Sequence, residues 1–462
     1  MFIKLTLCFL IASLGAVTTV LAARHGANPL NSSGQFTSVS TVTMSSTICN
    51  AHGSTSGSTC TLTSDLPITN ENLDISGWTF AGTGYRLVLS GTASLTAPTS
   101  SATIGNIGDA NEAVLIQSSG AYSIQNITFS GATSSTAAIG IPLAANALVS
   151  LLNISSNSFT NCNYGILRNG PSGSILTTNI QSNTFNTMQG DAIELNIVPY
   201  DTSILISGNT ITNVNNTGAK SNWGIGIGIA GAGYSENYPT GYVVHDFKIT
   251  GNTLSYMLQG IHVEMGSNFT ISNNNISHII SSYSSGSGLQ EAGIVAYGTA
   301  NFTISGNTIS LDDANDGILV APGAVPSVAV VAKTPSGSAL LQFNSVPSIL
   351  AGGNSIVDLT TGTVIPGGTT ISSLTATTVT MSANATGAGV ATGDAIQFTG
   401  YPIYFGLPIN FTISGNTMNA NATVAGIYWA STGTIHLTNN TGPSFSVYPS
   451  IGGNVVQSGN SW

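Results

Sequence analysis

Charge is nearly absent from this chain: only 5% of its 462 residues are Asp, Glu, Lys or Arg, and Lys plus Arg number 7. Nucleic-acid binding needs a basic footprint, and none exists here. A chain dominated by Ser, Thr, Asn and Gly would often be called low-complexity or disordered. Hydrophobic residues nevertheless reach 42%, with Ile and Val spread evenly, so a large core is within reach. Uncharged Ser, Thr, Asn and Gly must then do the solubilising, which suits β structure with hydroxyl and amide ladders. The 17 acidic residues leave a net charge of −10.

Long apolar runs are also missing, apart from one at the start. Met1-Phe2-Ile3-Lys4 gives a short positive beginning, an apolar run follows from Leu5 to Leu21, and Val20-Leu21-Ala22 supplies small residues at a cleavage spacing. Residues 1–22 read as an export signal cleaved after Ala22 or Ala23. No later segment is long enough to span a bilayer, so the chain is expected in the periplasm or outside the cell. Cysteine is scarce too. Cys8 leaves with the signal, and Cys49 and Cys60 flank a Gly/Ser-rich loop that an exported protein would close as a disulfide. Cys162 is expected in the core. No spacing reads as a metal site, and nothing calls for a cofactor.

What is present is repetition. Ile206-Ser-Gly-Asn209-Thr-Ile211 recurs at Ile304–Ile309, with variants around Asn157, Asn183, Asn252, Asn274, Asn416 and Asn440. Gaps of 26, 26, 22 and 24 residues match one coil of a parallel β-helix, and gaps of 43, 33 and 109 mark coils with insertions. Stacked coils would set each Asn amide against the next as a ladder, beside a Gly or Asn that tolerates a left-handed bend. A second column pairs a small residue with Ile, at Gly165-Ile166, Ala192-Ile193, Gly224-Ile225, Gly260-Ile261, Gly293-Ile294, Gly317-Ile318 and Gly426-Ile427. The fold class is all-β: a right-handed parallel β-helix of the pectate-lyase kind. Residues 23–150 form a cap and first coils, 151–322 the central coils, and 401–462 the last coils. Residues 323–400 interrupt the ladder as a small inserted β module.

Ten of the 17 acids lie between Asp191 and Asp316. With Ile193, Ile225 and Ile261 taken as successive core positions, strand alternation turns Glu194 and Asn196 outward on one coil. Gly226 and Gly228 then face out on the second coil, and His262 and Glu264 on the third. Two carboxylates would flank a glycine floor, with Trp223, Tyr234 and Tyr238 as walls for a sugar. Bland readings stand beside this one. Outward glycines also mark tight sheet packing, His262 fits a structural hydrogen-bonder, and Asp191 and Asp316 fit bend terminators.

Gly190-Asp-Ala-Ile-Glu194, Asn222-Trp-Gly-Ile-Gly-Ile-Gly-Ile229, Tyr238-Pro239 and His262-Val-Glu264 together resemble the colanic-acid-degrading phage tailspikes and the related periplasmic protein of the bacterial colanic acid cluster. The resemblance covers about Gly190–Val320. It implies a β-helix that binds or cleaves an acidic exopolysaccharide of fucose, galactose and glucuronate, and it carries over Asp191, Glu194, Trp223, His262 and Glu264 as matching positions. The phage relatives imply a homotrimer, which no residue here requires.

The expected reaction is hydrolysis, with Glu194 and Glu264 as acid and base, Asp191 tuning Glu194, and Trp223 stacking on a sugar. A lyase is poorly supplied, since Lys220 and Lys248 are the only lysines in the clustered region. The rival is a non-catalytic glycan-binding matrix protein or adhesin using the same groove.

Overall fold

The computed structural model describes residues 39–461 apart from 83, 106–111, 132–136, 216–223, 232–242, 281–290, 313–315, 322–327, 347–349, 351, 359, 400–408, 420–422, 428–433, 444 and 448–453. The export signal therefore lies outside the described residues. From Thr41 onward the chain is a right-handed parallel β-helix. A regular coil carries three short strands, as in Thr178–Gln181, Thr184–Met188 and Ile193–Asn196, and the next coil repeats them at Ile204–Ser207, Thr210–Val214 and Ile225–Ala230. Each pairs in parallel with its counterpart one coil on.

The asparagines explain why the coils hold register. Asn209 Oδ1 accepts from the backbone N–H of Asn183 at 2.9 Å and from its Nδ2 at 3.0 Å. Its own Nδ2 donates to Ile180 O at 2.9 Å and to Asn252 Oδ1 at 2.9 Å. The same pattern links Asn157, Asn183, Asn209, Asn252, Asn274, Asn307, Asn416 and Asn440. It ends on Asn460, a rung that no apolar-flanked hexapeptide marks in the sequence. From Asn157 to Asn440 these side chains are buried. The residue before each takes the left-handed conformation: Ser156 and Ser182 first, Gly208, Gly251 and Gly306 later.

Apolar columns stack beside the ladder. Phe129, Phe159 and Phe185 lie ring on ring at 4.9 and 4.5 Å, and Phe247, Phe269, Phe302 and Phe411 form a second stack. Arg168 breaks the apolar rule. It pairs in register with Leu195 and is fully buried, where Asp201 Oδ2 lies 3.4 Å from its Nε and the carbonyls of Gly170 and Ser172 accept from its terminal nitrogens.

A disulfide joins Cys49 to Cys60, tying the Ser46–His52 helix to the strand Thr59–Leu62, and Cys162 is buried in the core. The insertion folds as two three-stranded antiparallel sheets with a hydrophobic core of their own. Among the described residues no helix is long and apolar enough to cross a membrane.

Replacing Asn209 with Ala should leave two buried donors on Asn183 and the Ile180 carbonyl unsatisfied, at a cost of about 2–4 kcal/mol. Chemical unfolding would measure this, and a loss below about 0.5 kcal/mol, the size of an ordinary surface change, would deny the ladder its role.

Candidate functional site

Four strands of one sheet carry the site: Tyr164–Asn169, Ile193–Asn196, Ile225–Ala230 and Gln259–Glu264. Their register corrects the sequence reading. Ile193 pairs with Ile227, and Ile227 with Ile261, so Gly226-Ile227, not Gly224-Ile225, continues the small-Ile column. Ile225 instead pairs with Gln259 at the bend. At the far end Gly426-Ile427 also slips, pairing with Leu319 and Val320.

The glycines on the two sides of Ile227 do different things. Gly226 is not part of an outward floor. A Cβ there would meet Leu254 Cδ2, Met257 Sδ and Gly260 O, each at 2.7 Å, on the core side. Gly228 does face outward, in the column Leu167, Glu194, Gly228, His262. Its missing side chain leaves space that the Glu194 carboxyl occupies, for a Cβ on Gly228 would lie 2.2 Å from Glu194 Oε2. The floor is therefore the bed of the acid, and Ala230 replaces Gly226 as the next outward position.

Around that bed the groups divide by charge state. Glu194 Oε2 is buried and has no hydrogen-bond partner among the described residues. Burial raises the Glu194 carboxyl well above its usual range, and the nearby charges of Asp191 and Glu264 raise it further. Asp191 is buried, and its Oδ1 accepts from the backbone N–H groups of Gly224 and Ile225 at 2.9 and 2.7 Å. Burial lifts its pKa to about 6, against the pull of those bonds and of His262. Asp191 thus clamps the bend of the next coil and also acts on Glu194 electrostatically.

His262 is buried. Its Nε2 lies 3.1 Å from Glu264 Oε1, its Nδ1 lies 2.6 Å from Gln259 Oε1, and Tyr297 meets the ring edge-on. The ring is thus held between a carboxylate on one side and an amide on the other. Burial pushes Glu264 upward, but the hydrogen bond and charge of His262 outweigh it, so Glu264 sits below its ordinary range. The surroundings favour the protonated form of one carboxyl and the ionised form of the other, on coils two apart, roughly 10 Å between backbones by sheet spacing.

Sequence reasoning overlooked two members. Tyr164 stands one coil before Asp191, and burial with the Asp191 and Glu194 charges raises its phenol well above the usual range. Gln259 orients His262. Neither belongs to a repeat, so only the register, once known, could have found them. Asn196 is half-buried beside Asn169. Trp223, Tyr234 and Tyr238 lie outside the described residues. The acid cluster also partly dissolves: Asp201 pairs with Arg168, Asp246 with His245, and Asp312 with His278.

With this geometry in hand, the chain can be placed among known proteins. The model of the colanic acid biosynthesis WcaM family matches residues 65–331, a span that holds every described group of the site. The chain belongs to that family. Two WcaM proteins named for colanic acid biosynthesis are similar to it: one from Shigella flexneri, 42% identical over 153 residues, covering 33% of each chain, and one from Salmonella typhimurium strain LT2, 39% identical over 167 residues, covering 36% of this chain and 35% of the relative. The matched segment thus spans about a third of those WcaM relatives. Among solved structures, a double mutant of the periplasmic alginate epimerase AlgG is 9% identical with a TM-score of 0.48, covering 91% of this chain and 83% of that one. A mutant tailspike protein of E. coli bacteriophage HK620 is 11% identical with a TM-score of 0.35, covering 91% of this chain and 58% of that one.

The raised carboxyls make a pH prediction. A group whose folded pKa exceeds its unfolded value binds more protons when folded, so it stabilises below the unfolded value and loses that effect as pH rises through the folded one. Asp191 and Asp201, both near 6 in the fold, should lose stability between about pH 4 and 6. Glu264 works oppositely, its contribution being lost as pH falls below about 4. Thermal unfolding should therefore show a maximum near pH 4–5, and Asp201→Asn should flatten its neutral side. A Tm that rises steadily from pH 4 to 7 would contradict the assignment.

Proposed function

We propose that this WcaM-family protein is an exported β-helix that binds and hydrolyses an acidic exopolysaccharide, with Glu194 as general acid and Glu264 as general base. The observation that carries the reading is the Glu194 carboxyl: buried, pressed over Gly228, and without a hydrogen-bond partner for Oε2 among the described residues. An unpartnered buried polar atom is costly in a stable scaffold and is what a proton donor awaiting a glycosidic oxygen requires. The family description and its two relatives, named for colanic acid biosynthesis, supply the substrate class. The Cys49–Cys60 disulfide favours an oxidising compartment outside the cytoplasm.

In this scheme a sugar enters over the Glu194 carboxyl where it lies on Gly228. Protonated Glu194 donates to the oxygen of the breaking glycosidic bond, while ionised Glu264 takes a proton from the attacking water. His262, held by Gln259, keeps Glu264 ionised and aimed. A separation of about 6.5–9.5 Å between the two carboxyls would correspond to inversion at the anomeric carbon. Burial favours the protonated form of Glu194, and the charges of Asp191 and Glu264 add to it.

Incubation with a polysaccharide of fucose, galactose and glucuronate, followed by chain length, tests the reading. Glu194→Gln and Glu264→Gln should each slow cleavage by at least about 100-fold, the scale of a lost acid or base. Variants that cleave at the wild-type rate would remove those roles, and tight binding without any product would leave a glycan-binding protein. The rate should be bell-shaped in pH, its acidic limb set by Glu264 and its alkaline limb by Glu194.

Gly228→Ala is a separate check, because its Cβ would push out the end of a flexible side chain and leave backbone alone. Stability should fall by less than about 1.5 kcal/mol, as in tolerated core swaps, while the rate falls as far as in Glu194→Gln. An active Gly228→Ala enzyme would show that the carboxyl's bed is irrelevant to the chemistry.

A further inference from the structure

The inserted module is the largest feature that the acid/base scheme does not use. The solenoid closes beneath it without help. Ala300 pairs with Ile409, and Asn307 Nδ2 reaches Asn416 Oδ1 at 2.9 Å, 109 residues along the chain. The stack therefore does not need the module as a coil.

The module is nevertheless aimed at the site. The chain departs after Ala321, which stands in the column Ala230, Glu264, Tyr297, Ala321. From there it folds back across two coils. Its hydrophobic core, around Leu341, Phe343, Val379, Ile396 and Phe398, takes in Met265, the residue after Glu264. It also packs on Val243, which precedes the strand paired to Gly266. Met265 is 6% exposed, has a φ of 51° that ends its strand, and belongs to the module's core, not the solenoid's. One end of the Glu264 strand is thus walled by a foreign core.

We propose that this module forms one bank of the glycan groove and supplies subsites that a polymer fills and a short oligosaccharide does not. The proposal rests on the site around Glu194 and Glu264 and names what sets its preference for chain length. The bank's chemistry suits a sugar chain: Asp358 and Asp394 are buried, and Lys333 is the one exposed charge among its described residues. The rest of its exposed surface is rich in hydroxyls, as at Ser372, Ser373, Thr375 and Thr377, with Leu340 and Leu374 exposed as apolar patches. Such a surface can bond sugar hydroxyls and contact pyranose C–H faces without repelling a uronate.

The test is affinity for two ligands, an acidic exopolysaccharide and its single repeat unit, with wild type and Met265→Asp. The new charge sits in the module's core and should undock it, which limited proteolysis of 328–399 would report; Met265→Leu should behave as wild type. Wild type should prefer the polymer, and Met265→Asp should weaken polymer binding about tenfold, the loss of one good contact site, with repeat-unit binding within twofold. Unchanged polymer affinity with a protease-sensitive module would overturn the proposal. So would an equal fall for both ligands, since the module would then only prop Glu264. Because binding is read, a protein that binds both ligands but cleaves neither would sink the hydrolytic scheme and leave this comparison standing.

Discussion

Coil-to-coil hydrogen bonding through the buried asparagines is the constraint on which the rest depends. Each amide spends both of its polar ends on neighbouring coils: the oxygen takes two donors from one coil, and the nitrogen feeds a carbonyl and the next amide. A slip of one residue would bury several unsatisfied groups per rung, at a cost of about 1–3 kcal/mol each. The ladder so locks the register that columns of side chains become the unit of chemistry, and a residue's neighbours are those one coil away.

A column can hold a carboxyl only if something makes room. Successive coils stand about 4.8 Å apart, too close for two large outward side chains to fold over one another. Gly228 provides that room by having no Cβ between Glu194 and His262. The consequence is electrostatic as well as steric. Folded down onto backbone, Glu194 loses water and its pKa rises, while that of Glu264, one column over and bonded to His262, falls. Two identical side chains are shifted in opposite directions because their columns differ.

The same lock permits the insertion. With the asparagine ladder continuous beneath residues 323–400, the chain can leave one coil and return with only a local loss of pairing. Repeat folds tolerate such excursions because each coil contacts only its neighbours. The insertion departs beside the site, and its core engages Met265 there.

The fold was legible because its period is written in residues that have few substitutes, Asn at the ladder and small residues beside Ile at the corner. The outward positions of Glu194, Gly228, His262 and Glu264 followed from strand alternation alone, which the two-residue slip left intact. Three Gly-Ile steps in a row, from Gly224 to Ile229, look alike at period two, so the chain itself could not say which one stacks on Ala192-Ile193; only pairing across coils chose Gly226-Ile227. Tyr164 and Gln259 were invisible for a related reason: their importance lies in what stands a coil away, and no local pattern marks it. Sequence by itself determined the solenoid, the strand faces and the acids, since these depend on short-range periodicity. Tertiary structure decided which glycine beds the acid, which way each carboxyl's pKa moves and where the inserted module leans, since each depends on burial between residues distant along the chain.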